Sequence, residues 1–228
     1  KGPILVAFDK MKTAELAERL GIDVIPVHTL EAAQSLDYPL VIKPPQSVSW
    51  RNERAYSGTA EFISDYEQLK TSYDRIKNYS GLEPVIQSPI VGEEYGVEMI
   101  CQNGRVLADF AHVRLRSLSP TGGAGVVKAT APEFHLTNSM KKQSAALAKS
   151  LQWTGPLMVE WKVKAETSTV YLMEINGRFW GSLPLAVAAG IDFPWLYYLL
   201  AQGREKDMSK NLKAKFVRTR HFWGDVRW

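Results

Sequence analysis

Apolar positions recur along this chain with two periods, and the change of period marks the elements. Around residues 12–20, Leu16, Ala17 and Leu20 fall on one face at helical spacing, and Gly21 supplies a stop. Tyr38–Pro44 is a short apolar strand, and the polar run Gln46–Gly58 reads as a loop. The spacing predicts a helix over 61–79, then strands over 83–90, 95–102, 105–116 and 125–130. Met140, Leu147 and Leu151 share a helical face that ends before Gly155-Pro156. Two strands follow, PLMVEWKV and VYLMEIN, around a polar turn at Ala165–Thr169. Leu183–Ala201 is almost wholly apolar and close to the roughly 20 residues of a membrane span. Asp192, Pro184, Gly190 and Pro194 interrupt it, so it is expected to form two buried helical pieces joined at Gly190-Ile191-Asp192. The basic segment Arg204–Lys215 reads as a linker, and the tail FVRTRHFWGDVRW alternates like a strand.

These elements imply an α+β chain with two lobes, residues 1–88 and 89–203, and a linker and tail over 204–228. Composition changes this picture little: 228 residues, 45% hydrophobic and 23% charged, are ordinary for a globular chain. The formal charge of +4 comes from lysines and arginines scattered among acids, which argues against nucleic acid and suits a pocket for a polyanion. One cysteine, Cys101, makes no internal disulfide and reads as a small buried hydrophobe, so a reducing cytoplasm is expected. No signal peptide or membrane span is expected, and the start at Lys1 suggests a fragment. His28, His112, His135 and His221 show no ligand spacing, and Trp153, Trp161 and Trp180 read as core.

The chemistry concentrates in the two late strands. Alternation puts Met158, Glu160 and Lys162 on one face of the first, and Leu172, Glu174 and Asn176 on one face of the second. If the strands pair, Glu160, Glu174 and Asn176 converge into an oxygen-only set suited to Mg²⁺, which binds through few carboxylates together with substrate phosphates. The same spacing also describes ordinary acids on two half-exposed strands, and on spacing alone both stand. Leu172, Met173 and Ile175 around Glu174 favour a part-buried acid, which needs a metal or cation. Arg178, two residues past Asn176, suits a transferring phosphoryl group. Lys43 at a strand end and Lys10 before a helix are candidate phosphate contacts, although most lysines are merely solvated. Arg114, Arg116 and Lys128 are further cations for the same region, or a solvated strand face. Thr121-Gly122-Gly123-Ala124-Gly125 is either a closing loop or a plain hairpin connection.

Together these segments resemble the ATP-grasp superfamily, whose members include biotin carboxylase, D-alanine–D-alanine ligase and carbamoyl phosphate synthetase. The resemblance runs from about Lys10 to Gly203 and is most specific in MVEWKV followed by YLMEINGRFWGS. INGRFWGSLPLAVAAGIDFP is especially similar to ATP-grasp proteins related to the carbamoyl phosphate synthetase large chain. FDKMKTAELAERLGIDVIP resembles the entry to the first lobe, YPLVIKP the strand with the second ATP lysine, and VIQSPIVGEEYGVEMI the hinge between lobes. In two respects the chain departs from the pattern. The phosphate-covering segment Gln46–Gly58 lacks the usual run of glycines, and the α/β domain that usually precedes the Lys10 segment is absent from this sequence.

The resemblance implies the ATP-grasp fold, two α+β lobes with the nucleotide between them. Lys10 and Lys43 would contact phosphates, the backbone around Gln87, Ser88 and Ile90 would meet adenine, and Glu94 would accept from the ribose. Glu160, Glu174 and Asn176 would hold Mg²⁺, with Mn²⁺ as a substitute, and Arg178, Arg114 and Lys128 would serve catalysis. The implied activity is an ATP-dependent carboxylate–amine ligase that works through an acyl phosphate on small-molecule substrates, with a homodimer as the expected assembly. Two other uses of the fold stay open, a nucleotide-binding module without chemistry and a kinase-like phosphotransfer.

Overall fold

Asp9 decides where the first amphipathic helix begins, because its side chain accepts hydrogen bonds from the Met11 and Lys12 amides. In the computed structural model, which describes residues 2–51, 53–119, 122–208 and 212–226, this helix is α2 (Lys10–Arg19). A short α1 (Gly2–Ala7), not expected from the sequence, precedes it. A small sheet follows, built from β1 (Val27–His28), α3 (Leu30–Ala33), β2 (Leu40–Lys43), β3 (Val48–Arg51), β4 (Arg54–Ser57), β5 (Glu61–Ile63), α4 (Tyr66–Ser80) and β6 (Val85–Gln87). Strands β1, β6, β2 and β5 lie side by side in that order, and β3 with β4 forms a separate hairpin. Leu40, Ile42, Ile63 and Ile86 pack against Leu69 and Ile76 of α4 to make a core of their own.

The second sheet carries the rest: β7 (Gly92–Gln102), β8 (Arg105–Ser119), β9 (Gly122–Thr130), α5 (His135–Ser150), β10 (Gly155–Lys164), β11 (Val170–Asn176), α6 (Leu183–Ala189), α7 (Phe193–Ala201), β12 (Arg218–Arg220) and α8 (Phe222–Val226). Its order is β11-β10-β7-β8-β9-β12. Alternation, interrupted by register shifts, splits it into two faces, and the shift at Glu160/Trp161 puts Leu172, expected beside Glu174 and Asn176, opposite Trp161 in the inner core instead. Val97, Met99, Leu157, Val159 and Trp161 form the inner face, which packs on α5 and also takes in Leu16 and Ala17 of α2. Trp161 is fully buried, and its indole Nε1 donates to Ser144 Oγ on α5 at 3.1 Å. On the outer face α6 and α7 cover one end, where Phe110, Met158, Phe193 and Leu196 pack together. The other end of that face stays open and charged.

Several expectations need correction. The helix expected from residue 61 starts at Tyr66: Glu61–Ile63 is an edge strand, and Asp65 caps the helix by accepting from the Gln68 amide. Gln46–Gly58 is not a plain loop, since Val48–Arg51 pairs with Arg54–Ser57, although Asn52 lies outside the described residues. The strand expected over 83–90 covers only Val85–Gln87. The segment after Arg204 is tied down as well as connecting: a 3-10 turn spans Glu205–Asp207, Met208 is buried, and the Lys215 amide donates to Ala189 O. Arg218–Arg220 does form a strand on β9, but the following residues coil into α8, in which Gly224 lies close against Val126 and His221. Of residues 121–125, expected as either a closing loop or a hairpin connection, Gly122–Gly125 begins β9, which pairs with β8, and Thr121 lies outside the described residues. The apolar run at 183–201 forms two helices bent by 94° and packed on the sheet, and no single described helix is long and apolar enough to cross a membrane.

Candidate active site

The cleft lies where the open end of the large sheet meets the small one. Register puts its residues on one face, because directly opposed residues in antiparallel strands point the same way. Glu160 on β10 faces Glu174 on β11, Lys162 faces Glu94 on β7, Glu94 faces Arg114 on β8, and Arg114 faces Lys128 on β9. One face thus collects Glu174, Glu160, Lys162, Glu94, Arg114 and Lys128 from five neighbouring strands. Gly125 makes room for two of the cations: a Cβ there would lie 2.6 Å from Lys128 Cε and 2.9 Å from Arg114 Nε.

Asn176 joins the two acids. Its Nδ2 lies 2.9 Å from Glu174 Oε1 and 3.4 Å from Glu160 Oε1. Lys10 arrives from α2, whose first amide donates to Pro45 O just past β2, and its Nζ lies 3.4 Å from Glu174 Oε2 and 3.2 Å from Ser47 Oγ. Arg114 pairs with Glu94 and reaches Glu160 at 3.6 Å, while Lys162 holds the other Glu94 oxygen at 2.7 Å. Arg178 is exposed, donating to Asn176 Oδ1 at 3.2 Å and to Phe179 O at 2.9 Å.

Two cavities flank this set. One, of about 190 Å³, has apolar walls from Ile25, Val41, Phe62 and Met173 and is closed by Gln87, Ser88 and Ile90, with Lys43, Glu94 and Glu160 at its charged end. The other, of about 130 Å³, lies between Lys10, Ser47, Glu174, Asn176 and Arg178. The structure therefore brings together Lys10, Lys43, Gln87, Ser88, Ile90, Glu94, Arg114, Glu160, Glu174, Asn176 and Arg178 around two adjoining spaces, with Lys128 beside Arg114. Arg116 is drawn away, to Asp225 on α8. Lys162 and Ser47 were missed. The signal for Lys162 was its place two residues from Glu160 on the same strand face. For Ser47 there was none, since its contact with Lys10 is 37 residues away in sequence.

The electrostatics are those of a crowded site. Burial and the facing Glu174 carboxylate push Glu160 up to about 7, against the pull of Arg114. Burial would also raise Glu174, but Lys10, the Asn176 amide and Lys43 outweigh it and hold Glu174 below the usual carboxylate range. Burial, helped by Lys10, pushes the Lys43 ammonium down to about 8. Burial and Arg114 lower Lys128 too. Two opposed, part-buried carboxylates with an amide between them cannot both be charged at low cost without a cation, and their oxygen-only chemistry fits a hard divalent ion. Among the described residues no cluster of three His, Cys, Asp or Glu competes for such an ion.

The raised Glu160 value has a sign that stability measurements read. Its folded value, about 7, lies above the ordinary 4.5, so its contribution is fully present below about 4.5 and is lost as pH rises through 7. Metal-free protein is therefore expected to lose stability over that window in urea titrations, and Glu160→Gln is expected to flatten the loss. An unchanged pH slope in the variant removes Glu160 as its source.

A small sheet and a large one enclosing a cleft, with two lysines from one side and an E-x-N-x-R strand from the other, define an ATP-grasp fold. The chain belongs to the family described as ATP-grasp in the biosynthetic pathway with Ter operon, whose model matches residues 83–221. It is 27% identical over 220 residues to pyruvate carboxylase of Bacillus subtilis (strain 168), covering 89% of this chain and 18% of that protein. It is 22% identical over 224 residues to the carbamoyl phosphate synthase large chain of Methanobrevibacter smithii, covering 92% of this chain and 20% of the other. It spans about a fifth of the length of these curated relatives. Among solved structures, a Campylobacter jejuni biotin carboxylase described as a β-γ-ATP complex superposes with a TM-score of 0.70 at 17% identity, over 88% of this chain and 47% of that one.

Proposed function

We propose that this chain is the ATP-binding part of a ligase that activates a small-molecule carboxylate as an acyl phosphate and passes the acyl group to an amine. The observation that carries this reading is Arg178, exposed beside Asn176 at the edge of the Glu160–Glu174 pair, in the second cavity. Holding a nucleotide needs the first cavity and the lysines, but not an exposed guanidinium beyond the acids.

In this reading adenine occupies the apolar cavity against Gln87, Ser88 and Ile90, and Glu94 accepts from the ribose hydroxyls. Lys10 and Lys43 hold phosphate oxygens as point charges. Glu160, Glu174 and Asn176 would hold Mg²⁺, or Mn²⁺ in its place, which when bound neutralises phosphate charge. The acceptor carboxylate oxygen forms a bond to the γ-phosphorus as the bond to the β–γ bridging oxygen breaks, and ADP leaves. The amine nitrogen then bonds to the carbonyl carbon, the carbon–oxygen bond to phosphate breaks, and the amine proton passes to solvent. The side chains contribute position and charge: Arg178 orients the acceptor and stabilises the phosphoryl oxygens, with Lys128 and Arg114 behind it.

The test is ADP release with Mg-ATP across a panel of carboxylates, with hydroxylamine present as the nucleophile. Carboxylate-dependent ADP with a hydroxamate product is expected. A stable phosphorylated acceptor instead of a hydroxamate points to phosphotransfer, and Mg-ATP binding without ADP across the panel points to a binding module.

A further inference from the structure

Glu98 has no place in the chemistry just described, yet its surroundings are built around it. It lies on β7 in a run, Tyr95–Cys101, in which every residue is buried, and its own exposure is 0%. Its cross-strand neighbours on the same face are Phe110 and Met158. An acid placed there loses its water and needs partners in exchange. Ser182 Oγ donates to Oε1 at 2.5 Å, and His112 Nδ1 lies 2.9 Å from the same oxygen without the alignment of a hydrogen bond.

Two other positions are shaped for this contact. Gly96 faces His112, and a Cβ there would lie 2.2 Å from the imidazole Cε1, so only glycine leaves the ring its place. Ser182 stands at the N-cap of α6 but makes no capping hydrogen bond, because its hydroxyl is turned onto Glu98. A serine at an N-cap ordinarily satisfies a helix amide. Here it ties the segment before the helix to the sheet instead.

That segment is 177–182, and it carries Arg178. Its first residue, Gly177, is pressed against Trp153, where a Cβ would lie 2.3 Å from Cη2. Trp180 packs on Phe193 with ring centroids 5.3 Å apart. Ser182 is its polar anchor at the far end. Arg178 lies between these fixed points, so the direction of its guanidinium depends on both.

We infer that Glu98 is a positioning residue for Arg178: through Ser182, and with His112 as its second partner, it holds the 177–182 segment at the height where the guanidinium reaches the second cavity. The inference takes from the functional reading only what Arg178 binds, a phosphoryl group.

The test uses Ser182→Ala, which deletes one atom, with Ser182→Thr to restore the hydroxyl and Arg178→Ala for comparison. Inorganic phosphate is titrated into each protein saturated with MgADP, and amide hydrogen exchange is followed over residues 177–183. Loss of a hydrogen bond to a buried carboxyl group is expected to weaken phosphate binding and speed exchange, each about tenfold, in Ser182→Ala. MgADP affinity should stay near wild type, Ser182→Thr should recover both properties, and Arg178→Ala should lose phosphate without faster exchange. Phosphate binding and exchange unchanged in Ser182→Ala, or an equal loss of MgADP and phosphate, overturns the assignment. If wild-type protein binds no MgADP, the functional reading fails by itself, and the exchange rate over 177–183 still decides the anchor.

Discussion

Replacing Arg178 with alanine is expected to lower acceptor-dependent ADP release by about a hundredfold or more while Mg-ATP affinity changes little. The reason lies in what its neighbours already hold. Lys10 is engaged with Glu174, Arg114 with Glu94 and Glu160, and Lys162 with Glu94. Arg178 bonds to a neutral amide oxygen and a backbone carbonyl, and it is exposed. It therefore gives up little to meet an anion, and it stands outside the adenine cavity. Calorimetry with Mg-ATP and a coupled ADP assay separate the two effects. Wild-type turnover in the variant would falsify the role given to Arg178.

Glu174→Gln is expected to act in the opposite way. It keeps the shape and the Asn176 contact but removes the charge that faces Glu160 and holds Lys10. Mg-ATP affinity is expected to fall by about ten- to a hundredfold, the range seen when a group supporting a metal is lost. Without Mg²⁺ the sign reverses: a negative charge has been taken from beside the phosphates, so ATP alone should bind no more weakly than to wild type. Titrations with and without Mg²⁺ read both arms. Equal weakening in the two places Glu174 in the general structure of the cleft and not in cation binding.

The parts of this site that depend on strand alternation were legible in the sequence. Glu160, Glu174 and Asn176 converge because β10 and β11 are joined by a short turn, which makes their pairing nearly local. The parts that depend on distant pairing were not. Nothing in the residues around Glu94 shows that β7 lies between β10 and β8, which gives Glu94 both Lys162 and Arg114. Glu98 stands in the sequence as one acid in an apolar strand, and its partner Ser182 is 84 residues away. The hairpin at 48–57 was hidden for a local reason. Glu53 takes a positive φ of 62° at its turn, a position where glycine is the usual signal. The late start of α4 was legible but unused, since Ser64-Asp65 followed by Gln68 is a capping sequence.

The depressed Lys43 and the raised Glu160 have a consequence for the protein as a whole. Both shifts mean that groups of like charge have been brought together and stripped of water by folding, before any ligand arrives. The cleft is thus a region where the folded state works against itself, held in place by the three apolar cores around it. A polyanion with its counter-cation relieves both kinds of crowding at once. Evolution toward a more heat-resistant chain would find its easiest gains here, by neutralising these residues, and each gain would be taken from the ability to bind.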